Sequence, residues 1–536
     1  MRNMEIIKKS CPLVLTIILL FGSCNGTARP KKEEQKSPNI IFILTDDQGW
    51  THTSHMADPN IPESKSDYYE TPNMDRLAKS GILFTDGYAP NPICSPSRNS
   101  IMFGQNAARH IYNKDLDWYK KTGDWLTIPR AIKKADPEYR TAHFGKWHIA
   151  MEPKDAGFDY DDGMTSNHGG EVFGDGFLDV KEYTEASDEY LKANNVRNPT
   201  NTRKTGKPSG HWNDENAKDI FGITDRAESF MKESIAADKP FYVQLSHYAV
   251  HLSLVSQKET YEYFKNKRPG ERHTNPEFAA MLKDLDTGVG MIMDFVKAMG
   301  IEDNTYIFLM GDNGGRLSLN QIATIDQNKE LVETHYSTQN ERNMPLRNGK
   351  HSFYDGGLRV PFLVAGPGIR ANRVSRTAVT GLDLLPTFTD LAGGNIQMTK
   401  VIDGGSMVPL LHDESIEKVD RNSEYLIFHQ GAHRIPRSAI QKGDFKLVKY
   451  WPVEKELQNK PIIELFNVVE DLGETANISD KHPEISRELE IELNRFLDAT
   501  NAETVRQNSK GPYYRLLDDL GKSSDGERLK RSEQSH

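Results

Sequence analysis

The sequence predicts an α/β fold in which a largely parallel sheet is covered by helices on both faces, followed by a smaller α+β unit. Residues 40–44 (IIFIL), 241–245 (FYVQL) and 306–310 (YIFLM) are continuous β-favouring apolar runs, as expected of strands buried on both faces. Helical patterns lie between them, at 74–80 and 278–299, and strands alternating with helices imply parallel pairing through crossovers. From about residue 421 the runs shorten, at 425–428, 445–448 and 463–466, before helical spacing at 485–497.

At 536 residues the chain has room for a large core and a second unit, because single cores stop growing near about 250–300 residues. The expected organisation is a signal peptide at 1–24, a linker at 25–38, a catalytic domain at 39–420 and a C-terminal subdomain at 421–515. A charged, disordered tail at 516–536 completes it. Arg2, Lys8 and Lys9 precede an apolar run at 12–21, the order of a secretory signal. That run is too short for a membrane helix, which needs about 20 apolar residues. Residues 21–24 (FGSC) resemble a bacterial lipobox, making Cys24 a lipidation candidate and placing the protein in the periplasm or at the cell surface, with membrane attachment only through the anchor. The formal net charge of -10 argues against nucleic acid, which calls for a basic footprint. A local cluster of Lys and Arg still leaves room for a polyanionic substrate.

The only cysteines are Cys11, Cys24 and Cys94. With Cys11 lost in the signal, no internal disulfide framework is expected, and Cys94 stands alone in the mature body. The three long strands end in polar groups: Asp46-Asp47, Ser246-His247 and Asp312-Asn313. In open α/β sheets ligands bind beyond such strand ends. Three carboxylates in one pocket repel unless a cation lies between them, and an all-oxygen set favours calcium or magnesium over zinc. Either pair alone would more often be a turn or a helix cap.

Cys94-Ser95-Pro96-Ser97-Arg98, with Gly104 following, resembles the C-x-P-S-R signature of the formylglycine-dependent sulfatases. Other motifs arrive in that family's order: Asp46-Asp47, Gly145-Lys146-Trp147-His148, Gly157-Phe158-Asp159, Asp312-Asn313-Gly314 and Gly349-Lys350. The run from Tyr354 to Pro361 matches YEGGxRxP, with Asp355 in place of Glu. Ala249-Val250-His251 departs from the usual Ala-Pro-His, and Val for Pro is expected to loosen that turn. The resemblance implies a large mixed, mainly parallel sheet sandwiched by helices, as in alkaline phosphatases, with an antiparallel sheet in the C-terminal subdomain.

It also implies roles. A maturation enzyme would convert Cys94 to formylglycine, whose hydrate attacks sulfur. One Ca²⁺ (Mg²⁺ being the less favoured ion) would be held by Asp46, Asp47, Asp312, Asn313 and an oxygen at position 94. Lys146 and Lys350 would bind sulfate oxygens, and Arg98 would orient the nucleophile. His251 would protonate the leaving sugar oxygen, and His148 would take the proton that lets sulfate depart. The implied substrate is a sulfated polysaccharide or its oligosaccharides. His168, His429, His433 and Arg434 are candidate sugar contacts. The competing readings are a phosphonate or phosphodiester hydrolase of the same superfamily and a non-catalytic glycan-binding protein.

Overall fold

A computed structural model of the chain describes residues 36–110, 125–149, 151–165, 216–252, 254–316, 343–394, 401–431, 437–451 and 461–502. The signal segment with Cys24, the tail, His168, His433 and Arg434 lie outside the described residues.

The strands in chain order are β1 (Asn39–Thr45), β2 (Ile82–Phe84), β3 (Gly87–Tyr88), β4 (Arg140–Gly145), β5 (Tyr160–Asp161), β6 (Phe241–Ser246) and β7 (Thr305–Gly311). They continue with β8 (Phe362–Ala365), β9 (Arg373–Ser375), β10 (Val379–Thr380), β11 (Leu426–Gln430), β12 (Arg437–Lys442), β13 (Phe445–Tyr450) and β14 (Ile462–Asn467). Eight form the main sheet in the order β5-β4-β6-β1-β7-β8-β2-β9. β8 runs against both of its neighbours and the other pairings are parallel, so the sheet is mixed and mainly parallel.

Alternation along β1 explains the two covering layers. Ile41 and Ile43 pack with the helices Ile220–Ala236 and Pro276–Ala298, while Ile40, Phe42 and Leu44 pack with Cys94–Phe103 and Leu384–Leu391. All five side chains are fully buried, each contributing about 1.5–3 kcal/mol. The smaller sheet is antiparallel, in the order β11-β12-β13-β14, and the helix Pro483–Ala499 covers one of its faces through Leu489, Leu493 and Leu497.

Register aligns the chemistry. Thr45 pairs with Gly311, Leu44 with Ser246, and Ser246 with Gly145, so β1, β7, β6 and β4 end side by side. The next residues are Asp46, Asp312, His247 and Lys146. At the end of β4, Gly145 has φ +95, and a Cβ there would lie 2.2 Å from the Ser246 carbonyl oxygen. Replacing Gly145 by Ala is expected to cost more than about 2 kcal/mol, through the unfavourable φ and the clash. Urea unfolding checks this: the midpoint should drop at unchanged m-value, and an unmoved midpoint would contradict the packing described.

Candidate active site

Asp46, Asp47 and Asp312 bring carboxylate oxygens within 4.8 Å of one another, all buried. The strand ends are laced together: Asp312 donates its N–H to Thr45 O at 2.9 Å, and Asp47 donates its N–H to Asp312 Oδ1 at 3.1 Å. Asn313 donates Nδ2 to Asp47 Oδ1 at 2.8 Å. Its own Oδ1, like Asp46 Oδ1, is buried without a hydrogen-bond partner among the described residues. An orphan amide oxygen beside three clustered carboxylates, one of which has an orphan oxygen of its own, forms a donor set suited to a hard cation. Charge tells the same story. Burial, with Asp46 alongside, pushes Asp312 up to about 8, although Arg98 and Lys146 oppose it. Burial would also raise Asp46, but Lys146, His251 and Arg98 outweigh it and hold that carboxyl well below the usual range.

Cys94 opens the helix Cys94–Phe103 and is buried. One turn on, Arg98 donates Nε to Asp312 Oδ2 at 2.8 Å and Nη1 to Lys146 O at 2.7 Å, binding the cysteine helix to the acidic strand ends. The Cys94 thiol lies within electrostatic reach of Arg98, Asp312 and Lys350. Lys146 Nζ is 2.5 Å from Asp46 Oδ2, and Lys350 Nζ is 2.7 Å from Asp47 Oδ1. Both ammonium groups therefore sit against candidate cation ligands.

Thr165 shapes the turn that delivers Lys146 and His148. Its hydroxyl accepts Trp147 N–H at 2.8 Å and donates to Gly145 O, while its carbonyl accepts His148 N–H at 2.9 Å. Burial, then Lys146 and Arg98, hold the His148 imidazole well below its ordinary pKa. His251 is likewise lowered, to about 3, by burial and Lys350. Its Nδ1 contacts Leu252 O at 2.6 Å, and its Nε2 is 3.9 Å from Asp47 Oδ2. The turn before it is not loosened as expected. Val250 has the N–H that proline lacks and donates it to Asp46 O at 2.7 Å, while Ala249 O accepts Asp46 N–H at 2.9 Å.

The structure thus gathers Asp46, Asp47, Cys94, Arg98, Lys146, His148, His251, Asp312, Asn313 and Lys350 into one pocket. His429 lies in β11, buried, with Nδ1 2.8 Å from Ser438 Oγ and its carbonyl accepting from Asn91 Nδ2. Arg316 was missed by sequence reasoning. Its charge is felt by Asp47 and Lys350, and the signal was its place four residues after Asp312.

Residues 38–394 match the family model of sulfatases, and residues 348–500 match that of the N-sulphoglucosamine sulphohydrolase C-terminal region. A sulfatase of Formosa agariphila is 28% identical, over 92% of this chain and 95% of its own. An N-acetylglucosamine-6-O-sulfatase of Bacteroides thetaiotaomicron is 24% identical, over 90% of each chain. Among solved structures, Ps i-CgsB in complex with k-i-k-neocarrahexaose has a TM-score of 0.64 at 23% identity, covering 92% of this chain and 98% of that one, a likeness of fold. The match across two thirds of its length, added to the gathered pocket, makes this chain a member of the sulfatase family and a sulfuric ester hydrolase.

Proposed function

We propose that this sulfatase releases sulfate from a sulfated polysaccharide or its oligosaccharides, using Cys94 matured to formylglycine and one Ca²⁺. The observation that carries the reading is a buried cysteine at a helix start, fixed through Arg98 to the clustered carboxylates, with Lys146 and Lys350 paired to two of them. The sulfatase acting on N-acetylglucosamine 6-O-sulfate and the structure holding a neocarrahexaose support a carbohydrate substrate. The N-terminal segment supports export.

When bound, calcium held by Asp46, Asp47, Asp312 and Asn313 would polarise a sulfate oxygen and acidify the nucleophile, which matured Cys94 supplies. Calcium suits an all-protein, carboxylate-rich cage better than magnesium, which retains waters. Lys146 and Lys350 bind sulfate oxygens through charge-assisted hydrogen bonds. Arg98, locked by Asp312 and the Lys146 carbonyl, keeps the position-94 side chain directed at sulfur. His148, neutral because burial and its cationic neighbours disfavour the imidazolium, accepts the proton whose loss frees sulfate. His251 carries the proton to the leaving sugar oxygen. Burial and Lys350 disfavour that proton in the free enzyme, and the negative charge of a bound sulfate restores it.

Sulfate and phosphate release from defined sulfated glycans and aryl phosphoesters tests the reaction. Sulfate release from a glycan, absent in Cys94→Ala, is expected; phosphate release alone would establish the phosphohydrolase reading instead. For the general acid, His251→Ala should slow release from a sugar sulfate by about 10²–10⁴-fold and affect an aryl sulfate far less, since a phenol leaves without help. Equal losses on both esters would remove His251 from that role.

A further inference from the structure

Lys446 occupies a core-facing position of β13. Alternation along that strand puts Val448 and Tyr450 against Phe353, Tyr354 and Leu358, while Leu447 faces Leu489 and Leu493 of the covering helix. Lys446 shares the first face and is fully buried. A buried ammonium needs partners, and it has two. Its Nζ is 2.7 Å from Asp355 Oδ1 and 2.8 Å from Glu474 Oε1. Glu474, itself fully buried, turns its other oxygen to accept the Asp355 N–H at 2.6 Å.

The same few residues grip the chain on the far side of Lys350. Arg347 donates Nη1 to Glu474 O at 2.8 Å, and its guanidinium lies 3.7 Å over the Tyr354 ring. The Tyr354 hydroxyl meets Tyr450 at 2.7 Å and bonds Glu464 as well. Residues 347, 354 and 355 are therefore fastened to the segment around the small sheet, and Lys350 lies between them. Between those anchors, Lys350 N–H donates to Gly315 O at 2.9 Å, which brings its side chain to Asp47.

We propose that Glu474, remote from the metal pocket, is a positioning residue for the sulfatase reaction. With Lys446 it clamps the 347–355 segment so that the Lys350 ammonium is held where sulfate binds. The shorter reach of Asp355, one methylene less than the family's usual Glu, is bridged here by Lys446. This inference rests on reading Lys350 as a sulfate ligand.

The test is the dissociation constant of inorganic sulfate on the full-length, calcium-loaded, matured protein, with thermal midpoints recorded for every variant. Lys350→Ala should weaken sulfate about tenfold, and Glu474→Ala about fivefold, the scale of removing or misplacing one charge-assisted hydrogen bond. Glu474→Gln keeps an acceptor for the Asp355 N–H and should recover most of that affinity. In the Lys350→Ala background, Glu474→Ala should add less than about twofold, because residues acting as one unit are not additive. An unchanged sulfate affinity in folded Glu474→Ala, or the same fivefold weakening without Lys350, would overturn the clamp. No effect of Lys350→Ala alone would overturn the sulfate-ligand reading beneath it. Should Glu474→Ala not fold, Arg347→Ala takes its place with the same expectations.

Discussion

The pocket is governed by the difficulty of burying three carboxylates together. Asp46, Asp47 and Asp312 are shielded from water, and Arg98, Lys146 and Lys350 all converge on them. Burial alone would neutralise such acids, and the cations are what keep Asp46 and Asp47 ionised. Much of the architecture serves this balance. Strand register sets the acids side by side, the cysteine helix delivers Arg98, and the turn after β4 delivers Lys146. The ammonium groups of Lys146 and Lys350 are in turn held in place by the acids they neutralise.

The parts legible in the sequence were those in which pattern and burial agree. The runs inside β1, β6 and β7 are apolar at nearly every position, so both the strands and their polar ends could be read. β4 was not legible although it delivers Lys146. Its residues Arg140, Thr141 and His143 interrupt the apolar signal, and they are tolerated because the fold supplies partners such as Asp159 and Ser246. β12, with Arg437, Ser438, Gln441 and Lys442, hid for a similar reason. The antiparallel placement of β8 depends on pairings distant in sequence, which no local pattern encodes.

The same limit explains the clamp. Asp355 was recognisable as a variant of a family letter, but its partners lie 91 and 119 residues away. A lysine in a strand such as FKLVKY reads as solvent-facing, yet Lys449 is buried against the covering helix, where it reaches Glu490 and Asn494. Lys446 points the other way. The small sheet thus joins the catalytic part of the chain through Tyr88, Phe353, Tyr354 and Leu358, and it contributes charge to that junction as well as apolar surface.

The most direct test of this charge balance is calcium titration of the full-length protein by calorimetry, at constant pH and with magnesium as competitor. The expected result is one saturable calcium site per chain, with weaker magnesium binding and loss of the site in Asp46→Asn and Asp312→Asn. Saturable calcium binding that survives both substitutions, or none in the unaltered protein, would contradict it.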